Sequence, residues 1–96
     1  MVIWSQPARA DLKHIHAFIA EDSRYYASKV VQEIKDKADS IAAFPNIGKV
    51  VPEIGNPDIR ELSLYSYRIL YQIDGPNLYI LAVIHKRREF KPGALE

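Results

Sequence analysis

The chain of 96 residues contains no cysteine. Disulfide scaffolds, thiolate metal sites and cysteine nucleophiles are thereby excluded. Only four glycines occur and they are dispersed, so there is no glycine-rich loop to cradle a nucleotide's phosphates. Long apolar runs are missing as well: no window approaches the roughly 18 to 20 apolar residues that span a bilayer. The start, Met1 to Pro7, lacks the basic end and apolar stretch of a secretion signal. These absences lead to the expectation of a cytoplasmic protein with no membrane partner. Charge of one sign is also scarce. Thirteen Lys and Arg against twelve Asp and Glu leave a formal charge of +1, which excludes a polycation that coats nucleic acid in bulk but permits a local basic patch.

What is present is ordinary for a globular protein: 48% hydrophobic, 10% aromatic and 26% charged residues, enough apolar surface for one core. Nothing resembles a repeat or a linker, so residues 1 to 96 are read as a single domain. Val2, Ile3 and Trp4 fit a brief strand. Pro7 suits a first helical turn, with Ser5 or Gln6 as the cap. Ala8, Leu12, Ile15 and Ile19 then recur at helical spacing, predicting an amphipathic helix of about four turns. Asp22 and Ser23 interrupt it and can cap a second helix, whose stripe is Ala27, Val30, Val31, Ile34, Ala38 and Ile41. Phe44, Pro45 and Gly48 end that helix. The short link makes the two an antiparallel hairpin.

The period then changes. Gly55 to Asp58 is turn-like, and Ile59 to Tyr65 reads as a strand. Tyr67, Ile69, Tyr71 and Ile73 alternate with Arg68, Leu70, Gln72 and Asp74, a period of two. After a turn at residues 74 to 77, Leu78 to Ile84 is apolar on both faces, as in a central strand covered on both sides. The predicted architecture is α+β: an N-terminal strand and a helical hairpin packed on an antiparallel meander.

The most basic segment follows that strand. His85, Lys86, Arg87, Arg88 and Lys91 crowd into seven residues with Glu89 as the sole anion. A simple hairpin closed at residues 74 to 77 sets Arg68 opposite Val83 and brings His85 onto the same face. Arg60, on the neighbouring strand, is a third candidate, although a one-residue slip would reverse its direction. Three such groups on one concave face, with Tyr65, Tyr67 and Tyr71 nearby, would form a phosphate cradle with stacking groups; the tyrosines also fit simple packing on the helices. Other chemistries fare worse. His14 and His16 point about 200° apart on a helix and cannot share a metal. No serine lies in a nucleophile elbow, and Glu53 reads as a solvated loop carboxylate rather than a base.

Ala8-x-x-Asp11-Leu12-x-x-Ile15, Phe44-Pro45-x-x-Gly48, Arg60-Glu61-Leu62, Tyr67-Arg68-Ile69-Leu70-Tyr71 and Val83-Ile84-His85-x-Arg87-Arg88 follow one another over nearly the whole chain. This series resembles the RelE/ParE superfamily of toxins from bacterial type II toxin–antitoxin systems. The resemblance implies a two-helix hairpin on an antiparallel sheet, a cognate antitoxin that covers the working face, and no metal or cofactor. It leaves two targets open. One branch poisons DNA gyrase; the other cuts mRNA on the ribosome as a metal-independent endoribonuclease. A non-toxic antitoxin-binding module is a third reading. In the nuclease reading Arg60 and Arg68 would hold the scissile phosphate and His85 would transfer the proton. Lys86, Arg87 and Arg88 would contact target or phosphate in either case. The catalytic strands lack the extra lysines of the nuclease branch, and Phe90 stands where many nucleases carry a tyrosine. The gyrase-directed branch is therefore preferred.

Overall fold

The computed structural model describes residues 1–87. Strand β1 (Val2–Trp4) leads into helix α1 (Gln6–Ala20), and helix α2 (Arg24–Ile41) returns beside it. A 3-10 turn at Pro45–Ile47 follows, then four strands: β2 (Lys49–Val50), β3 (Ile59–Leu64), β4 (Tyr67–Asp74) and β5 (Asn77–His85). Their order in the sheet is β1-β5-β4-β3-β2, with β1 parallel to β5 and every other pair antiparallel. The expected strand, hairpin and meander are all present. The two-residue β2 is an addition that no period-2 signal announced, being shorter than one full alternation.

Local chemistry sets the helix starts. Ser5 caps α1, its hydroxyl accepting from the Ala8 N–H at 3.1 Å, and Ser23 caps α2 by accepting from the Tyr26 N–H at 3.2 Å. The helical stripes meet the sheet as the periodicity requires. Ala8, Leu12 and Ile15 of α1 join Ile34, Ala38 and Ile41 of α2 over Ile69, Tyr71, Leu78, Ile80 and Val83. Burying each Leu, Ile or Val of this set supplies about 1.5 to 3 kcal/mol relative to exposure.

The other face of the sheet is covered differently. Val51, Leu70 and Ala82 form a smaller buried cluster, with Ile54, Ile59, Leu81 and Ile84 packed against it. Residues 51 to 58 fold over this face, held by the Gly55 and Ile54 N–H groups donating to the Val51 carbonyl and by Val51 N–H donating to Ile59. Strand β5 is accordingly buried on both sides, which explains its unbroken apolar run.

One strand end departs from expectation. β3 stops at Leu64, because Tyr65 adopts a left-handed conformation with φ of 54° and starts the turn into β4. The Tyr65 hydroxyl donates to the Glu33 carboxylate on α2, which ties this hairpin tip to the helices.

Candidate functional site

The pairing of β4 with β5 decides where the candidate residues point. From the tight turn the register runs Asp74↔Asn77, Gln72↔Tyr79 and Tyr71↔Ile80, as a simple hairpin demands. Between Leu70 and Tyr71 it shifts, so that Leu70 faces Ala82 and Leu81 becomes the extra residue of a β-bulge. Beyond the bulge Arg68 lies opposite Ile84 rather than Val83, and His85 lies opposite Tyr67. Directly opposed residues share a face. Arg68 therefore projects from the face covered by residues 51 to 58, whereas His85 projects from the helix face. The expected cradle of Arg60, Arg68 and His85 on one surface is not formed.

Arg60 departs from it too. It pairs with Tyr71, whose ring is buried in the helix-side core. Its guanidinium donates to the Pro57 carbonyl at 3.0 Å and the Gly48 carbonyl at 2.8 Å. It braces the chain on either side of the loop. His85 shares its face but stands two strands across and four residues further along, about 13 Å in the strand direction alone.

Arg68 is the most heavily engaged cation. Its two terminal nitrogens donate to the two oxygens of Glu53, both at 2.9 Å, in a bidentate fork. Its Nε donates to Glu61 at 3.2 Å, and a terminal nitrogen donates to the other Glu61 oxygen at 2.5 Å. Glu61 is only 5% exposed. The hydrogen bonds it donates to Glu53 first and Glu61 second raise the guanidinium above its already high range, against a smaller opposing effect of burial. Four of its five N–H donors thus go to carboxylates, leaving little to offer a phosphate. The same polar cleft, about 350 Å³, is lined by Lys49, Ser63 and Lys86. Sequence reading missed both partners. Glu61 was legible in principle, since it alternates with Arg60 and shares a face with Ser63 opposite Arg68.

His85 is exposed at the end of β5. Its ring meets Tyr67 edge-to-face, centroids 5.8 Å apart at 79°, and its Nδ1 accepts from the Arg87 N–H at 3.1 Å. It opens on a second cleft of about 460 Å³ shared with His14, Phe18 and Tyr67. There Asp11 accepts from the Val83 N–H at 2.9 Å and so covers the edge of β5 where β1 has ended. Lys86 and Arg87 are exposed, and Arg88 lies outside the described residues. Among the described residues, no group of three His, Asp or Glu converges in a way that could hold a metal ion. No helix among them is long and apolar enough to cross a membrane.

The Phe44-Pro45-x-x-Gly48 segment has a structural role. The buried Tyr71 hydroxyl donates to the Pro45 carbonyl at 2.7 Å and accepts from the Gly48 N–H at 2.9 Å. A Cβ on Gly48 would stand 2.5 Å from that hydroxyl oxygen and 2.6 Å from the Glu61 carbonyl. Glycine is required by space. Burial raises the Tyr71 phenol above its usual range, partly opposed by the Gly48 N–H.

Comparison with known proteins gives the same picture of the whole chain. The family described as ParE toxin of type II toxin-antitoxin system, parDE, matches residues 2–90. Toxin RelE2 of Caulobacter vibrioides is 30% identical over 88 residues, covering 91% of this chain and 96% of that protein. Toxin ParE3 of the same organism is 25% identical over 87 residues, covering 90% and 86%. Among solved structures, a chain of the chromosomal ParDE TA system from P. aeruginosa superposes with a TM-score of 0.72 at 24% identity, covering 88% of this chain and 92% of that one. With its strand, helical hairpin and mixed sheet in this order, the chain belongs to the ParE toxin family of type II toxin–antitoxin systems.

Proposed function

We propose that this toxin arrests growth by inhibiting DNA gyrase, rather than by cutting mRNA, and is neutralised by a cognate antitoxin. The observation that carries this reading is the state of Arg68. Metal-independent RNA cleavage requires cations free to stabilise a phosphorane and an acid or base within reach of them. Here Arg68 is neutralised by Glu53 and Glu61, Arg60 is spent on loop carbonyls, and His85 stands on the face of the sheet opposite Arg68. Within residues 1–87 these groups make structural contacts in place of a catalytic set. His85, Lys86 and Arg87, all exposed, then serve as contact residues for the target.

Supercoiling by purified gyrase tests this directly. Addition of the toxin should inhibit it, while mRNA in a translating extract stays intact, and His85→Ala should leave any mRNA profile unchanged. Ribosome-dependent cleavage that His85→Ala abolishes would establish the nuclease reading instead. A chain that binds its antitoxin yet affects neither assay would be a binding module.

A further inference from the structure

Arg68 has more counter-charge than neutralisation requires. Glu61 alone supplies one negative charge: it is 5% exposed and accepts from Nε and Nη2 of the guanidinium. Glu53 is a second carboxylate, carried by the loop of residues 51 to 58, and it takes the end of the guanidinium through Nη1 and Nη2. Its side chain is 23% exposed against 6% for Glu61. One carboxylate is thus fixed inside the sheet. The other, more open to solvent, belongs to a loop that covers the smaller of the two apolar clusters.

The remainder of this cleft is basic. Lys49 pairs with Glu61 across β2 and β3, and Ser63 pairs with Arg68 across β3 and β4, so these four share the face turned away from the helices. Lys86 joins them after the end of β5. Among the described residues neither lysine forms an ion pair. Lys49, Arg68 and Lys86 against Glu61 alone would leave the lining at +2, and Glu53 lowers it to +1. An arginine fork grips two phosphate oxygens in the way it grips two carboxylate oxygens. Glu53 therefore stands where a phosphodiester would bind, and it weakens the positive potential that would attract one.

We propose that Glu53 is a specificity-determining residue: its carboxylate occupies Arg68 in place of a nucleic-acid phosphate and so withholds this cleft from RNA. The proposal rests on the reading of this toxin as one that leaves mRNA intact, and it names a residue that enforces this at the level of binding.

The full chain and its Glu53→Ala variant are titrated into a fluorescein-labelled oligouridylate of about twelve nucleotides, and anisotropy is followed over a range of salt. Glu53→Ala should bind at least about fivefold more tightly than the unaltered chain. Its log K should also fall more steeply with log salt, by about 0.7, the signature of one added phosphate contact to a single strand. Adding Lys49→Ala and Lys86→Ala to that variant should remove most of the gain. Glu21→Ala removes the same charge at an exposed position outside the cleft and should change affinity less than about twofold. Circular dichroism establishes that each variant is folded; if Glu53→Ala is not, Glu53→Gln, which keeps the shape of the side chain, should show the same gain in smaller measure. A folded Glu53 variant that gains no affinity, or no more than Glu21→Ala, overturns the proposal and leaves gyrase inhibition standing. Cleavage of mRNA by the unaltered chain in a translating extract overturns both.

Discussion

Glu61 and Arg68 are side chains whose worth depends on each other. Removing the guanidinium leaves a carboxylate that is 5% exposed without its counter-charge, a situation that costs about 3 to 5 kcal/mol. Arg68→Ala should therefore lower the urea midpoint severely. Arg68→Lys should lose less, since it keeps the charge and loses only the fork. Tyr71→Phe should cost about 1 to 3 kcal/mol, because the buried Gly48 N–H and the Pro45 carbonyl lose their partner. The same residue gives a pH dependence. Its folded pKa lies above the unfolded value of about 10, so folding favours the neutral phenol. The associated stability is complete below pH about 10 and is lost as pH rises through the higher folded value. Denaturation midpoints measured between pH 8 and 11 should fall more steeply for the unaltered chain than for Tyr71→Phe.

At the scale of elements, the two helix caps look equivalent in sequence and differ in the fold. Ser23 accepts from one N–H at the start of α2. Ser5 does the same for α1 and also donates to the Leu81 carbonyl at 3.1 Å. Leu81 is the extra residue of the bulge, so Ser5 joins a helix start to the irregularity that turns His85 away from Arg68. Ser23→Ala should cost about 1 kcal/mol. Ser5→Ala should cost clearly more, since a strand carbonyl loses its donor as well; comparison of the two melting temperatures decides it. The bulge also marks where strand reading failed. Alternation and turn chemistry place the pairing correctly from Asp74 to Tyr71, but an inserted residue inside an apolar run leaves no mark in the hydrophobic pattern.

For the whole molecule, a formal charge of +1 conceals local imbalance: Arg9, Lys13 and Lys35 gather around one groove beside the helices, while Arg68 on the sheet is neutralised by Glu53 and Glu61. The two sides of the sheet also differ in strength. The helix-side core holds most of the large buried side chains, whereas the opposite cluster rests on Val51, Leu70 and Ala82. Residues 51 to 58 should open before the rest of the fold. Hydrogen exchange should show the Ile54 and Gly55 amides, both bonded to Val51, exchanging well before those of Ile69 and Tyr71. In Arg68→Ala, which releases Glu53 of that loop, their exchange should accelerate further.

Periodicity and breakers in the sequence determined the two helices, their apolar stripes and the strands β1, β3, β4 and β5, and narrowed the caps to Ser5 or Gln6 and to Asp22 or Ser23. These features follow from contacts within a few residues, which hydrophobic spacing records. Tertiary structure alone decided that Glu53 and Glu61 close on Arg68, that Arg60 braces a loop, and that His85 faces the helices. Each depends on which residues meet across strands and loops far apart in the chain. One extra residue at Leu81 was enough to reverse a face.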